Sequence, residues 1–256
     1  MKSFTTNCMK QLYILTHKNS RPMAFDWKDS IRQLFFAIYP NVCYICLQET
    51  PIRDRHICVN CLVDLPYTDH FLYNDNLVTK KFWGRIALEH GAAFINFYKG
   101  SQFTDMIHRF KYEGHKRIGV LLGEIAAHRL KKSDWIHKID TIIPVPLHPL
   151  RRAKRGYNQS TEFARGIQNI LGISITEGLL LKSSYTTTQT DKGRRERLEN
   201  VQNTFTVSTK TQYRGRHFLI VDDVITTGAT LEACAIKLLE IPDSKVSILC
   251  LAVARL

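Results

Sequence analysis

The segment Phe218-Leu219-Ile220-Val221-Asp222-Asp223-Val224-Ile225-Thr226-Thr227-Gly228-Ala229-Thr230 constrains the fold more than any other stretch of this chain. Four consecutive apolar residues, Phe218 to Val221, read as a strand buried on both faces, as in a parallel sheet. Two carboxylates follow at the predicted C-terminal, solvent-facing edge of that strand. Threonines and Gly228 then turn the chain into a helix expected over Ala229–Glu240, and Val246–Val253 reads as a further buried strand. A strand, a helix and a strand in succession require a parallel sheet with helices on its faces, because parallel neighbours need a crossover between them. Ligands of such sheets bind outside the carboxyl ends of the strands, where the acids and the turn fall.

The chemistry of the turn is equally specific. Backbone N–H groups of Thr226, Thr227, Gly228, Ala229 and Thr230 face an anion at a helix N-terminus, and the threonine hydroxyls add donors. Carboxylates beside an anion site repel the anion, so Asp222 and Asp223 make sense only if hydroxyls or a divalent metal lie between. A ribose 5-phosphate meets both demands. The bland alternative is a strand followed by an Asp-capped helix with no ligand.

Upstream, Ala92–Tyr98 reads as a strand, and Thr104, Met106, Ile107, Phe110 and Tyr112 lie in a helix stopped by Gly114. Ile118, Leu121, Leu122, Ile125, Ala126 and Leu130 mark a second amphipathic helix, followed by a strand over Thr141–Val145. A Pro- and Arg-rich loop comes next, then a helix over Gln159–Leu171 and a strand over Leu179–Lys182. The loop carries Pro146, Leu147, Arg151, Arg152 and Arg155, and guanidinium forks with backbone amides suit pyrophosphate. It equally suits a solvated basic loop or a nucleic-acid backbone. His148 within it is an acid/base candidate or simply an exposed histidine. A long polar loop over residues 184–196 brings Lys192, Arg194 and Arg195, which can close over a reacting phosphate or can begin a charged helix neutralised by Glu196 and Glu199.

Four of the seven cysteines form Cys43-x2-Cys46 and Cys58-x2-Cys61, a metal-ligand pattern better than a disulfide framework. Structural zinc is expected, with iron–sulfur or unrelated buried thiols as alternatives and His56 as a substitute ligand. Cys8, Cys234 and Cys250 read as ordinary thiols. A short helix over Asp26–Tyr39 precedes the cysteines, residues 1–25 read as a poorly ordered leader, and a polar connector follows the cysteines to about Arg85. The expected division is therefore 1–25, 26–85 and 86–256.

Lysine and arginine number 36 against 23 acids, a formal +13 that points to anionic partners. No run of about 18 apolar residues spans a membrane. Reduced cysteines and the lack of a secretory signal favour the cytoplasm.

The Phe218–Thr230 segment resembles the phosphoribosyl pyrophosphate motif of type I phosphoribosyltransferases. In that motif the two acids hold ribose hydroxyls and the following loop holds the 5-phosphate. Thr226 stands where some members carry an acid that assists deprotonation of the base, and the absence of that acid resembles the orotate-type branch instead. The cysteine knuckles, Phe110-Lys111-Tyr112-Glu113-Gly114, Pro144-Val145-Pro146-Leu147, Arg155-Gly156-Tyr157-Asn158-Gln159, Gln189-Thr190 and Glu196-Arg197-x2-Asn200-Val201 extend the likeness to the ComF family from about Asp26 onward. That resemblance implies an α/β type I phosphoribosyltransferase-like fold, mostly parallel, with a small N-terminal zinc module. It implies magnesium-dependent binding of phosphoribosyl pyrophosphate or a nucleotide, and transfer to or from an unidentified acceptor, in the setting of DNA uptake. A protein that binds single-stranded DNA or uptake partners without catalysis, or senses phosphoribosyl pyrophosphate, stays open beside it. Tyr112 and Tyr157 are candidates to stack on a base.

Overall fold

The computed structural model describes residues 42–50, 56–182, 204–208 and 211–255. Its centre is a four-stranded parallel sheet of β1 (His90–Phe97), β6 (Lys245–Ala254), β5 (His217–Ile225) and β2 (Thr141–Pro144), in that spatial order. Neighbouring strands are in parallel register throughout, with Ala92 opposite Leu249, Ile220 opposite Ile248 and Ile143 opposite Ile220. All four carboxyl ends therefore share one edge.

The pleat explains the continuous apolar runs. Leu219 and Val221 enter one core with the helices after β1, while Phe218 and Ile220 enter a second core beneath the last helix. The first core is covered by α2 (Gln102–Tyr112), α3 (Lys116–Leu130) and α5 (Gln159–Leu171). The second is covered by α6 (Ala229–Leu239) and by a separate antiparallel pair, β3 (Leu180–Lys182) with β4 (Phe205–Val207). Helices α3 and α5 approach through a glycine notch. A Cβ on Gly123 would strike Phe163 O, and one on Gly166 would strike Val120 O.

Cys43, Ile45, Ile57, Cys61 and Leu65 join the first core, with Cys61 in the short helix α1 (Val59–Val63). Tyr67 then bridges Ile95 antiparallel, so Pro66–Thr68 lies along the free edge of β1.

Two sequence expectations are corrected. The Pro- and Arg-rich stretch is not all loop: Pro149–Arg155 forms α4, opened by proline at its first turn and closed by Gly156 at φ 78°. The aspartate strand does not stop at Val221 but runs to Ile225, so both acids lie inside it and are half-buried instead of solvent-facing. The pairing partner β6 extends just as far, which carries the strand beyond its apolar residues. The leader, the Asp26–Tyr39 helix, Cys8 and the 184–196 loop lie outside the described residues.

Candidate functional site

Strands β2 and β5 are neighbours, and Val145 N–H donates to Val221 O at 2.9 Å just beyond their paired register. The loop after β2 and the turn after β5 therefore leave the sheet side by side at its carboxyl edge, where ligands of such sheets bind.

On the β5 side, a cavity of about 50 Å³ is lined by Asp222, Val224 and the turn from Ile225 through Thr230 to Leu231. Thr226 and Thr227 are exposed, while Ala229 and Thr230 are half-buried. Gly228 is the N-cap of α6 at φ 84° and supplies no side-chain cap; Ala229 N–H reaches Thr227 Oγ1 at 3.5 Å, at the start of the first helical turn. The ring of Phe82 packs where a Gly228 Cβ would sit, 3.1 Å away. Arg85 of the same segment pairs with Glu232 on α6 through Nε and Oε1 at 2.9 Å, pinning residues 82–85 beside the turn.

The two acids differ. Asp222 Oδ1 accepts from Ser160 Oγ and from Asp223 N–H, each at 2.9 Å. Burial and the adjacent Asp223 charge push Asp222 up to about 7, against the opposing pull of those donors and Lys111. Asp223 Oδ1 accepts from Val224 N–H at 2.5 Å, and its Oδ2 lies 2.9 Å from Lys111 Nζ in a half-buried ion pair.

Lys111 was not among the expected site residues, although its motif was visible. Three of the motifs that carried the family resemblance prove to be bonded together. Tyr157 donates to Phe110 O, Gln159 Nε2 donates to Lys111 O at 3.3 Å, and Asn158 Nδ2 donates to Val145 O at 2.9 Å. Arg155 donates to Gln159 Oε1 at 3.0 Å and lies over the Tyr112 ring at 4.9 Å. Tyr157 is thus half-buried and anchored, while Tyr112 is exposed. His148 caps α4, its Nδ1 accepting from Leu150 N–H at 3.2 Å.

On the β2 side, Pro146, Leu147 and Arg152 line a cavity of about 320 Å³ with Asn158 and Lys182. Arg151 is exposed on α4. Lys182, also missed from sequence, is half-buried above the Phe205 ring at 5.2 Å, and burial with nearby Arg151 draws its ammonium below the usual lysine range while Cys234 and Asp222 oppose the shift. Lys192, Arg194 and Arg195 lie outside the described residues.

The cysteine sulfurs of Cys43, Cys46, Cys58 and Cys61 all lie within 4.8 Å of one another. Cys46 and Cys58 are 3.8 Å apart, close to the edge of a tetrahedron with ~2.3 Å metal–sulfur bonds. Ile45 and Cys58 N–H groups point at Cys43 Sγ and Cys61 N–H at Cys58 Sγ, each at 3.4 Å. Burial raises the Cys43 thiol, but N–H groups of Cys58, Cys46 and Ile45 outweigh it and bring the group to about 7. Burial and the neighbouring sulfurs push Cys61 far up. The donor set fits a closed tetrathiolate metal site, and His56 stacks on Tyr44 with centroids 5.0 Å apart.

Comparison with known proteins matches residues 115–256 to the phosphoribosyl transferase domain model. A protein of Escherichia coli O157:H7 called DNA utilization protein YhgH is 30% identical over 215 residues, 82% of this chain and 89% of that protein. Competence protein F of Haemophilus influenzae is 31% identical over 130 residues, 49% of this chain, and the match spans only 57% of that protein's length. Among solved structures, a purine phosphoribosyltransferase from Pyrococcus horikoshii is 23% identical, covering 53% of this chain and 73% of its own, with a TM-score of 0.35.

Proposed function

The chain belongs to the phosphoribosyl transferase domain family, and from that premise we propose that it binds phosphoribosyl pyrophosphate or a nucleotide and transfers the phosphoribosyl group to or from an acceptor. The observation that carries this is the adjacency of the acid pair, the anion turn at Thr226–Thr230 and the basic loop after β2 on one sheet edge.

Asp222 and Asp223 accept hydrogen bonds from the ribose hydroxyls, and the turn receives the 5-phosphate. The β2 loop, with Arg151, Arg152, Arg155 and Lys182, receives the pyrophosphate. In the transfer, the acceptor nitrogen forms its bond to the anomeric carbon while the bond to the pyrophosphate oxygen breaks. The electron pair leaves with pyrophosphate, and the acceptor loses a proton. The site contributes position and the stabilisation of departing negative charge. Asp222 and Asp223 form no complete protein cage, and a magnesium ion bound with the ligand's phosphates would screen their charge.

Competition is the direct test. Ribose 5-phosphate and pyrophosphate should each displace labelled phosphoribosyl pyrophosphate, because they occupy its two halves. Failure of both to compete would remove the assignment.

A second proposal concerns the setting. Relatives carry names from competence and DNA utilization, and a cavity of about 440 Å³ beside the β2 loop is lined by Lys116, Arg152, Arg155 and Arg165 together with Glu162, which pairs with Arg165, and Glu177. These features favour a role in DNA uptake, with single-stranded DNA as a ligand. DNA binding through phosphates should weaken steeply with salt, whereas a small ester held by backbone amides should respond less. The four cysteines hold structural zinc, and the chain works in the cytoplasm. No helix among the described residues is long and apolar enough to cross a membrane.

A further inference from the structure

The cysteine knuckle and the acid pair are joined by the last turns of α2. Arg109 Nη2 donates to Tyr44 O at 2.7 Å and to Ile45 O at 2.9 Å, the two residues between Cys43 and Cys46. Its Nε is buried without a partner. The two knuckle carbonyls are therefore the acceptors that keep this half-buried guanidinium in place. Tyr44 also tilts against His115, the N-cap of α3, at 5.8 Å, so the knuckle holds the chain on both sides of Gly114.

Two residues beyond Arg109, Lys111 meets Asp223. One helical turn carries both side chains, so a rotation or shift of that turn moves both. The ion pair matters because Asp222 and Asp223 stand beside a turn suited to a phosphate. Without a cation among them, two adjacent carboxylates repel an anionic ligand.

We infer that Arg109 is a positioning residue that fixes the end of α2 to the cysteine knuckle, holds Lys111 against Asp223, and so makes ligand affinity at the acid pair depend on the metal-loaded state of the four cysteines. The inference rests on the phosphoribosyl assignment. The metal fixes the knuckle backbone, because binding it is part of the folding free energy of such a module. Fixed carbonyls at Tyr44 and Ile45 fix Arg109, and Arg109 fixes the turn. Lys111 then offsets the charge of Asp223 at a defined point.

The test uses ribose 5-phosphate, which addresses the acid pair and the anion turn but lacks the pyrophosphate that would strip metal. Its affinity is measured by calorimetry on the full chain, with metal content determined for each preparation. Arg109→Met and Lys111→Met should each weaken binding about tenfold, the scale of one charge-assisted hydrogen bond. The double variant should be no weaker than Lys111→Met alone, since Arg109 acts through Lys111. Wild-type protein stripped with a chelator should match metal-loaded Arg109→Met, and stripping Arg109→Met should cost nothing more. Arg109→Lys, which retains a donor for one carbonyl, should recover part of the affinity, an outcome that misfolding does not produce. Additive losses from Arg109→Met and Lys111→Met, or equal affinity of stripped and loaded wild type, would overturn the inference. Binding by wild type with Arg109→Met indistinguishable from it overturns the inference alone. No binding by wild type overturns the phosphoribosyl assignment itself and removes the coupling with it.

Discussion

Lys111 Nζ lies 2.9 Å from Asp223 Oδ2, with both side chains largely withdrawn from solvent. This contact joins the end of the second helix to the strand that carries the acid pair. It gives one acid a cation and leaves the other, Asp222, to be governed by burial. Burial and the adjacent Asp223 charge raise Asp222, against the pull of the Asp223 N–H, Ser160 and Lys111.

Asp222→Asn should separate stability from binding. The fold raises the Asp222 pKa, so its charged form is disfavoured in the native state. Above pH 7 the substitution removes a destabilising charge, while Asn can still accept from Ser160 and the Asp223 N–H. The melting temperature at pH 8 should hold or rise, and ribose 5-phosphate affinity should fall at least tenfold. A marked drop in melting temperature would show that the ionised acid is structural.

The same shift fixes a pH dependence. Asp222 moves from 3.8 in the unfolded chain to about 7 in the fold. Between these values the native state binds more protons, so this group's contribution makes stability decline as pH rises from about 4 to 7 and level off above. Ligand affinity runs the other way if ribose hydroxyls need the carboxylate, rising through pH 7. Asp222→Asn should flatten that rise near 7. Calorimetric titrations at pH 6, 7 and 8 on both proteins would read it.

Gly228→Ala should damage the anion turn. The residue sits at φ 84°, where an L side chain is strained, and its Cβ would meet Phe82 at 3.1 Å. A cost of about 1–2 kcal/mol follows from the backbone alone. Thermal unfolding should show a loss of a few degrees, with weaker binding of ribose 5-phosphate. Unchanged binding would place the phosphate elsewhere.

Cys58→Ser should abolish stoichiometric metal. Cys58 supplies one of four mutually close sulfurs and also accepts Cys61 N–H at the cap of the first helix. Elemental analysis of protein purified without chelator should find about one equivalent in wild type and little in the variant. Retention of a full equivalent would mean that another group, such as His56, completes the site.

The sheet was legible because burial on both faces leaves a plain mark: Phe218 to Val221 is apolar throughout, and Val246 to Val253 is interrupted only by the small Ser247. The extension of β5 through Asp222 to Ile225 was not, since backbone pairing to β6 carries the strand past the point where its apolar residues end. Pro149–Arg155 was read as loop because proline and a run of basic residues hide a helix that proline in fact opens. The acid pair and the turn were visible as a local sequence, whereas Lys111, Ser160 and Lys182 reach the site from elements far apart in the chain. For Lys111 a signal existed in Phe110-Lys111-Tyr112-Glu113-Gly114, but only the fold shows that this motif bonds to Arg155-Gly156-Tyr157-Asn158-Gln159.

The central claim is that the acid pair and the turn after it form a phosphoribosyl site. Calorimetric titration of phosphoribosyl pyrophosphate with magnesium into wild-type protein, repeated on the Asp222→Asn, Asp223→Asn double variant, tests it most directly. Saturable binding at one site per chain in wild type, lost in a double variant that melts normally, is the predicted result. Equal affinity in the two proteins, or no binding in wild type, would contradict it.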